Sequence, residues 1–314
     1  MRMRSRLLAA VISLVAVAPA ARAGDTGEHK ITVGGIERTY LVSRPTKAAS
    51  GKAPAVIVLH GGVLSAKGAR RDMGFEPLVD REGLIAVYPN AVGRRWNDGR
   101  RAVPSPWRGP VPDDVGFVRA LVKELVSDGA DPARIYVTGP SNGGMMTLRL
   151  VCAAADLFAA AAAIIANMPV DIITGCQPAR PLPVLVMNGT ADTVIPNDGG
   201  PVGFRNDRSE RGAVFSTDDT MTWLRRFNGC DGRAEPQSLP DLDPADGSNV
   251  TVLRWTQCTS GDPVVLYRIE GGGHRVPSLD RRPTLLTDRL LGRENHDIDA
   301  AETIWAFFKD RKAP

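Results

Sequence analysis

Short apolar runs recur along the chain, separated by segments whose apolar positions follow a helical period. The clearest run is Ala55-Val56-Ile57-Val58-Leu59, which ends at His60-Gly61-Gly62. An apolar run without polar interruption predicts a strand that is buried on both faces of a sheet. Further strands are predicted at residues 84–88, 134–138, 182–187 and 264–269.

Helices are predicted between these strands. Residues 113–128 have apolar side chains at positions 115, 118, 121, 122 and 125, and acids in the first turn suit the helix dipole. Helices are also predicted at residues 70–81, 142–152 and 298–309. Strands that alternate with helices indicate an α/β fold, with a mostly parallel central sheet and helices on both faces.

Two segments depart from this alternation. Residues 30–33 and 38–42 are predicted strands, and Gly34-Gly35 between them predicts a hairpin turn. Residues 159–165 are rich in alanine, which favours a helix, but they fall where a strand is due. We predict a strand there.

The first 23 residues form a separate unit. Arg2, Arg4 and Arg6 precede an apolar stretch, and Ala21-Arg22-Ala23 places small residues where a signal peptidase cleaves. We predict a signal peptide at residues 1–23 and a single domain at residues 24–314, secreted or periplasmic. The apolar stretch is shorter than the about 20 residues that span a bilayer, so we expect no membrane association after cleavage.

The predicted signal peptide also accounts for the charge of the chain. The formal net charge is +4, and residues 1–23 contain four arginines and no acids. The predicted mature chain is therefore close to neutral, which argues against a nucleic acid as a partner.

Four cysteines follow the predicted signal peptide: Cys152, Cys176, Cys230 and Cys258. An even number in an exported chain predicts disulfides. Three pairings are possible. The sequential one, Cys152–Cys176 and Cys230–Cys258, closes short loops and is our prediction. No CxxC motif is present and the histidines are scattered, so we expect no metal site.

A nucleophile turn is predicted at Gly139-Pro140-Ser141-Asn142-Gly143, between a strand and a helix. In the G-x-S-x-G pattern the serine lies at a strained turn, so its neighbours two residues away must lack bulk. The following helix directs its N-terminal N–H groups toward the serine, where an oxyanion would form. We predict Ser141 as the nucleophile. A glycine-rich turn with an N-capping serine is the structural alternative.

The loop His60-Gly61-Gly62-Val63 follows the first buried strand. Its glycines let the backbone approach a substrate, and a loop at this position supplies the second oxyanion N–H in folds with this turn. We assign the oxyanion hole to the backbone N–H groups of Val63 and Asn142, with Gly62 as the alternative to Val63. His60 is expected to be structural.

The base and the acid should follow the serine in the order acid, then histidine. His274 directly follows the glycine-rich end of the strand 264–269, whereas His296 is flanked by charged residues and is typical of a helix entry. We predict His274 as the general base. For the acid we predict Asp192 rather than Asp198, because Asp192 lies closer to its strand end.

Together these motifs resemble the secreted polyhydroxybutyrate depolymerase-like and feruloyl or acetylxylan esterase-like α/β-hydrolases. The resemblance extends through most of the predicted mature chain. Its elements are Val33-Gly34-Gly35, Arg38-Thr39-Tyr40, Leu59-His60-Gly61-Gly62, Tyr88-Pro89-Asn90, Arg95-Trp96-Asn97-Asp98, Asp113-Asp114-Val115-Gly116-Phe117, Gly139-Pro140-Ser141-Asn142-Gly143-Gly144, Gly189-Thr190-Ala191-Asp192 and Gly271-Gly272-Gly273-His274.

This resemblance implies an α/β-hydrolase fold and a Ser141–Asp192–His274 triad that hydrolyses carboxylic esters without a cofactor. It also implies two disulfides, since Asn228-Gly229-Cys230 is similar to the helix end before a bridging cysteine in the family. The expected partner is a small or oligomeric ester of the hydroxybutyrate, feruloyl or acetyl type, bound by a monomer. We expect no additional substrate-binding domain, which favours soluble esters over crystalline polymer.

The chain departs from the family at two points. Asn188 replaces a histidine of many relatives, and Arg275-Val276-Pro277 replaces Thr-Trp-Pro after the predicted base. The missing aromatic residue weakens the expectation of an aromatic substrate clamp. Trp96 and Asn97 are candidate pocket residues on the long loop between a strand and a helix. Packing on the sheet edge is the alternative for Trp96 and Trp107.

Two other functions stay open. A serine peptidase could use the same triad, although peptidases of this fold usually carry a large second domain. A non-catalytic secreted binding protein could use the same scaffold, although the intact triad argues against it.

Overall fold

The computed structural model describes residues 27–47, 51–101, 107, 109–204, 211–281 and 285–314. The predicted signal peptide lies outside the described residues. Within the described ranges, no helix has the length and apolar character needed to cross a membrane.

The strands alternate with helices as predicted. Their bounds are β1 (Glu28–Val33), β2 (Ile36–Ser43), β3 (Ala53–Val58), β4 (Ile85–Pro89), β5 (Ala130–Pro140), β6 (Ala160–Ile164), β7 (Val184–Gly189), β8 (Gly200–Pro201), β9 (Ala213–Val214), β10 (Gln237–Ser238), β11 (Asn249–Trp255) and β12 (Val264–Glu270). The helices are α1 (Ala66–Asp72), α2 (Glu76–Glu82), α3 (Asp114–Ser127), α4 (Asn142–Ala154), α5 (Thr217–Asn228), α6 (Leu285–Leu291) and α7 (Ala300–Phe308).

In the described part of the chain, ten strands form one sheet in the order β1-β2-β4-β3-β5-β6-β7-β12-β11-β10. The run from β4 to β12 is parallel, and the strands at both ends of the sheet pair antiparallel. The predicted mostly parallel sheet is confirmed. Strands β8 and β9 form a separate antiparallel pair.

Helices cover both faces of the sheet, as predicted. Ala55 and Ile57 of β3 face a core that includes side chains of α3, α4 and α5. Val56 and Val58 of the same strand face a second core, which includes side chains of α1, α2 and α7. Because both faces are covered, β3 is apolar at every position, and this uninterrupted pattern is what predicted it.

The alanine-rich segment is strand β6, as predicted from its place in the alternation. Helix α4 packs closely against its end: a Cβ on Gly144 would lie 2.6 Å from the Ala166 Cβ and 2.9 Å from the Ile164 carbonyl oxygen. Small side chains permit this approach, so tertiary packing overrides the helix propensity of alanine.

The single helix predicted at residues 70–81 is wrong, because the segment forms two short helices, α1 and α2. Gly74, between them, adopts φ 75°, and a proline at the start of α2 cannot continue a preceding helix. A Cβ on Gly74 would lie 3.2 Å from the Ala301 Cβ. The break therefore lets α7 pack against this segment.

Two disulfides join the cysteines in the predicted sequential order. Cys152, in α4, pairs with Cys176. Cys230 pairs with Cys258. Cys230 directly follows the end of α5, where Gly229 adopts a left-handed conformation. The two bonds tie helix ends to neighbouring loops and leave no free cysteine.

Four parallel strands carry the predicted site residues at their carboxyl ends. His60 follows β3, Ser141 follows β5, Asp192 follows β7 and His274 follows β12. The carboxyl ends of parallel strands lie at the same edge of a sheet, where ligands bind in open α/β folds. The topology therefore brings these residues to one place.

Candidate active site

Ser141 lies at the turn between β5 and α4 with backbone angles φ 56° and ψ −124°. Non-glycine residues rarely adopt positive φ, so this turn is strained. A Cβ on Gly139 would lie 2.6 Å from the Leu59 carbonyl oxygen, and one on Gly143 would lie 2.6 Å from the His60 carbonyl oxygen. The close approach of the loop after β3 therefore requires both glycines, which is the physical basis of the predicted spacing.

Replacing Ser141 with glycine should relieve the strain. Ser141→Gly and Ser141→Ala both lack the hydroxyl, but only glycine adopts these angles without a Cβ penalty. We expect the free energy of urea unfolding of Ser141→Gly to exceed that of Ser141→Ala by about 1 kcal/mol. This difference is the strain that glycine relieves, less the conformational entropy that glycine adds to the unfolded chain. Equal unfolding free energies for the two variants would contradict a strained turn.

His274 connects the serine to a carboxylate. Its Nε2 atom lies 2.9 Å from Ser141 Oγ, and its Nδ1 atom lies 2.8 Å from Asp192 Oδ2. An ionised carboxylate only accepts hydrogen bonds, so Nδ1 donates to it, and Nε2 of the neutral ring accepts from the hydroxyl. The side chains of His274 and Asp192 are buried, which strengthens both bonds.

The Asp192 carboxylate is oriented by its own loop. Oδ1 accepts the backbone N–H groups of Val194 and Ile195, each at 2.7 Å. Oδ2 is thereby directed to the histidine.

The loops that carry the acid and the base are joined to each other. The Ala191 N–H donates to the Gly272 carbonyl oxygen at 2.9 Å, and the Gly271 N–H donates to Thr190 Oγ1 at 2.9 Å. A Cβ on Gly189 would overlap the Gly272 backbone. This contact requires a glycine at position 189. In the run before His274, a Cβ on Gly273 would overlap the Leu291 carbonyl oxygen and Gly292.

The rival residues lie elsewhere. The exposed Asp198 accepts a hydrogen bond from Asn197 Nδ2 at 3.1 Å. His296 is buried, and its Nδ1 donates to the Ser278 carbonyl oxygen at 2.8 Å. The fold therefore brings Asp192 and His274, rather than these two, to the serine.

The loop after β3 lies against the nucleophile turn, and a Cβ on Gly62 would lie 3.6 Å from the Asn142 Cβ. Val63 adopts φ 61°, and its N–H donates to the Arg94 carbonyl oxygen at 2.9 Å. This N–H is therefore engaged with a backbone acceptor, which favours Gly62, the alternative, over Val63 as an oxyanion donor. Both assignments stay predictions.

Asn142 is the first residue of α4, where a backbone N–H has no acceptor inside the helix. Its side chain is buried and fully used: Oδ1 accepts the Trp96 N–H at 2.8 Å, and Nδ2 donates to the Trp96 carbonyl oxygen and to Asp98 Oδ2. Asn142 could therefore serve an oxyanion only through its backbone.

Asp98 was not predicted as a site residue. Its carboxylate, 2.7 Å from Asn142 Nδ2, is also paired with Arg100 at 2.8 Å. Asp98 belongs to the motif Arg95-Trp96-Asn97-Asp98, but no spacing rule indicates that its side chain reaches a residue 44 positions away.

A cavity of about 420 Å³ opens at Ser141 and His274. Among the described residues, its apolar lining includes Leu64, Met73, Met145, Ile165, Val194, Val202, Phe204, Val276 and Leu291, and its charged lining consists of Asp72, Arg95, Arg100, Arg211, Arg275 and Arg281. The volume fits a small acyl group and part of an alcohol.

Trp96 and Asn97 lie outside this lining, contrary to prediction. Trp96 is 1% exposed, and its Nε1–H donates to the His60 carbonyl oxygen at 2.8 Å. The Asn97 N–H donates to Asp114 Oδ2 at 2.7 Å, and its Nδ2 donates to the Pro112 carbonyl oxygen at 2.9 Å. Both residues hold the loop through these hydrogen bonds. Trp96 packs in the core and Asn97 is half-buried.

Replacing Trp96 with phenylalanine should therefore destabilise the fold without weakening substrate binding. The change leaves the buried His60 carbonyl oxygen without its indole donor, which costs about 1–3 kcal/mol. We expect the free energy of urea unfolding to fall by this amount. The KM for p-nitrophenyl butyrate should stay within about twofold of wild type. Trp107→Phe, at a half-buried position, is the matched control. A large rise in KM for Trp96→Phe, with no such rise for Trp107→Phe, would mean that Trp96 contributes to substrate binding.

His60 has the predicted structural role. Its Nδ1 donates to the Gly61 carbonyl oxygen at 2.7 Å, and its Nε2 accepts the Ala91 N–H at 3.1 Å. Burial lowers the pKa of His60, which keeps the ring neutral and matches this donor–acceptor pattern.

The chain is similar along most of its length to a known protein. It is 31% identical over 287 residues to NocK of Nocardia uniformis subsp. tsuyamanensis, which carries the name of an esterase. The match covers 87% of this chain and 82% of NocK. The chain belongs to this esterase family of α/β-hydrolases.

Two other relatives of this chain are longer proteins. Feruloyl esterase B of Piromyces equi is 33% identical over 208 residues, which cover 62% of this chain and 34% of that enzyme. A poly(3-hydroxybutyrate) depolymerase of Ralstonia pickettii is 35% identical over 133 residues, which cover 38% of this chain and 26% of that enzyme. The matches to these two relatives thus span about a third and a quarter of their lengths.

Two further comparisons concern the fold of this chain. The prolyl oligopeptidase family matches residues 82–175, which include the nucleophile turn. The acetyl xylan esterase from Aspergillus awamori has a similar structure, with a TM-score of 0.51 and 16% identity over 77% of this chain and 92% of that one. The predicted α/β-hydrolase fold is confirmed.

Proposed function

We propose that this chain is an exported serine esterase that cleaves carboxylic esters through Ser141, His274 and Asp192. The proposal is carried by the series of hydrogen bonds from Asp192 through His274 to Ser141 Oγ, at 2.8 and 2.9 Å. The signal peptide predicted at residues 1–23 and the two disulfides support export to the extracellular medium or the periplasm.

In the acylation step, Ser141 Oγ attacks the ester carbonyl carbon while His274 Nε2 takes the hydroxyl proton. The carbonyl oxygen becomes an oxyanion, which accepts hydrogen bonds from the N–H groups of Gly62 and Asn142. Asp192 stabilises the imidazolium. The C–O bond to the alcohol then breaks, the alcohol takes the proton from His274, and the acyl group stays on the serine.

Deacylation repeats the step with water as the nucleophile. His274 removes a proton from water, the hydroxyl oxygen adds to the acyl carbon, and Ser141 leaves with the proton that His274 returns. The products are an alcohol and a carboxylic acid, and the chemistry needs no cofactor.

The acyl group is a question of pocket shape rather than of the triad. Feruloyl, acetyl and 3-hydroxybutyrate esters are the classes that the family resemblance favours, and we propose soluble or oligomeric esters. Turnover of methyl ferulate, acetylated xylan and hydroxybutyrate oligomers would rank these classes.

The test uses the purified chain without residues 1–23. Wild type should release p-nitrophenol from p-nitrophenyl butyrate and react with a fluorophosphonate probe, and mass spectrometry should place the adduct on the peptide that contains Ser141. A chain that is folded but inert to both reagents would refute the esterase and favour a binding protein on this scaffold.

A peptidase is the second candidate. The prolyl oligopeptidase match favours it, as does 34% identity over 132 residues to the acylamino-acid-releasing enzyme of Arabidopsis thaliana, which cover 41% of this chain and 17% of that enzyme. Faster turnover of an acyl-peptide anilide than of p-nitrophenyl butyrate would select it.

A further inference from the structure

The side chain of Asn142 joins the nucleophile turn to the loop after β4. Its amide pairs with both backbone groups of Trp96: Oδ1 accepts the N–H at 2.8 Å, and Nδ2 donates to the carbonyl oxygen at 3.1 Å. The Trp96 indole in turn donates to the His60 carbonyl oxygen at 2.8 Å. His60 lies two residues before Gly62, and Asn142 directly follows Ser141. One connected set of hydrogen bonds therefore reaches both segments that supply the proposed oxyanion N–H groups.

Asp98 completes this set of hydrogen bonds. Its Oδ2 atom accepts from Asn142 Nδ2 at 2.7 Å, which is the shortest of the three bonds to that amide. Asn142 is 5% exposed and Asp98 is 4% exposed. Water has little access to such a bond, and a buried amide N–H that loses its acceptor costs free energy. The orientation of the Asn142 side chain therefore depends on the Asp98 carboxylate.

Arg100 holds this carboxylate in place. Its Nη2 donates to Asp98 Oδ2 at 2.8 Å, and its Nε lies 3.1 Å from both carboxylate oxygens. Its backbone N–H donates to Oδ1 at 3.1 Å. The Arg100 side chain is buried, and its Nη1 donates to the Arg211 carbonyl oxygen at 2.7 Å. The carboxylate cannot turn away from Asn142 without breaking its bonds to Arg100.

The direction of the Asn142 backbone N–H matters for the chemistry, because an oxyanion donor must point to the place where the charge develops. This N–H belongs to the peptide that links Asn142 to Ser141, the residue with φ 56°. A strained turn persists only where surrounding contacts hold it. The bonds from the Asn142 side chain to Trp96 and Asp98 are contacts of this kind. A displacement of about 1 Å in an active site can lower the rate by about 100-fold.

We propose that Asp98 is a positioning residue of the esterase: through the Asn142 side chain, it fixes the Asn142 N–H in the direction of the transition-state oxyanion. This inference rests on the proposed esterase function. In this role Asp98 contacts Asn142 rather than the substrate. Its removal should therefore weaken the transition state and leave ground-state binding unchanged.

The first test replaces Asp98 with alanine, which removes both acceptor oxygens. We expect kcat for p-nitrophenyl butyrate to fall by about 10- to 100-fold, because the oxyanion donor is displaced rather than deleted. The KM should stay within about twofold of wild type. A loss that appeared in KM alone would contradict a role in the transition state.

The matched control is Asp131→Ala. Asp131 also accepts a backbone N–H two residues on, from Ala133 at 3.1 Å, and its carboxylate pairs with Arg134 at 2.7 Å. It lies near the start of β5, whereas Ser141 follows the end of that strand. Removal of this carboxylate should leave both kcat and KM near wild type.

A ketone inhibitor separates positioning from folding. Ser141 Oγ should add to the carbonyl carbon of propyl trifluoromethyl ketone while His274 takes the hydroxyl proton. The ketone oxygen then becomes an oxyanion that accepts from the same N–H groups. The inhibition constant of Asp98→Ala should rise by about the factor by which kcat falls. An inhibition constant does not depend on the fraction of folded enzyme, so a variant that is only less stable would keep the wild-type value.

Asn142→Ala tests the link from its other end. It removes the amide but leaves the pair of Asp98 and Arg100 intact, so it decides the matter even if Asp98→Ala does not fold. We expect kcat to fall at least as far as in Asp98→Ala, again with little change in KM. Adding Asp98→Ala to this variant should cause no further loss of kcat, because the amide through which Asp98 acts is already absent.

The outcomes separate the two proposals. A wild-type kcat and inhibition constant in Asn142→Ala, or in folded Asp98→Ala, would overturn the positioning role and leave the esterase standing. A full further loss of kcat when Asp98→Ala is added to Asn142→Ala would also overturn it, since Asp98 would then act by another route. If wild type hydrolysed no ester, the esterase function itself would fail, and the positioning role with it.

Discussion

Replacing Ser141 with alanine should lower kcat/KM for p-nitrophenyl butyrate by about 10⁴- to 10⁶-fold, the range seen when a triad nucleophile is removed. Without Oγ no acyl-enzyme can form, and His274 Nε2 loses the hydroxyl 2.9 Å away. The remaining rate would come from water activated in the cavity. Steady-state release of p-nitrophenol measures the loss, and the fluorophosphonate adduct should disappear with it.

The control for this change is Ser43→Ala. The Ser43 hydroxyl is buried in β2 and has no hydrogen-bond partner in the described part of the chain. Its removal should leave turnover and labelling unchanged. Should Ser141→Ala keep more than about a hundredth of wild-type turnover, Ser141 would be a structural turn residue, and another nucleophile would be required.

Asp192→Asn should lower kcat by about 10⁴-fold while leaving the fold intact. The N–H groups of Val194 and Ile195 demand an acceptor, so the amide oxygen of the new side chain should turn toward them. Its NH₂ group then faces His274 Nδ1, which must accept. The proton moves to Nε2, and the ring can no longer take the serine proton.

This mechanism predicts two further results. Asp198→Asn, the same change at an exposed position six residues on, should leave kcat near wild type. The double variant Ser141→Ala/Asp192→Asn should be no slower than Ser141→Ala, because the two residues act as one unit. A multiplied loss in the double variant would mean that Asp192 contributes by another route.

The site residues that could be predicted are those whose role follows from the residues next to them in the sequence or from their order along the chain. Ser141 could be predicted as the nucleophile because a strand, a turn and a helix occupy consecutive residues. The spacing of Gly139 and Gly143 reflects a steric limit that any neighbouring loop would impose. Asp192 and His274 could be predicted as the acid and the base because both follow strand ends in the chain order that this fold uses.

The pocket prediction for Trp96 and Asn97 and the oxyanion prediction for Val63 both depend on the loop after β4. Trp96 lies on that loop, but the rotation of the loop places the indole in the core, where its N–H meets the His60 carbonyl oxygen. The same loop carries Arg94, whose carbonyl oxygen takes the N–H of Val63. No period of apolar residues encodes which side of an irregular loop faces the protein.

The break at Gly74 shows the same limit within a helix. One helix was predicted over residues 70–81, but Gly74 within this segment adopts a left-handed conformation where α7 packs closely against it. The contact with α7 joins segments far apart in the chain, so local helix propensity alone could not reveal it.

The sequence by itself determined the α/β alternation and indicated the serine, acid and histidine of the proposed mechanism. The alternation follows from the period of burial and the serine from the steric limits of its turn, both of which act on neighbouring residues. The acid and histidine follow from their order after strand ends, and the disulfide pairing was one of three that the sequence allowed. Only the tertiary structure decided which N–H groups are left for an oxyanion, that Trp96 is buried, and that Asp98 accepts a hydrogen bond from the Asn142 side chain. Those features are contacts between segments far apart in the chain, and their partners depend on how each loop is oriented after the sheet and helices have packed.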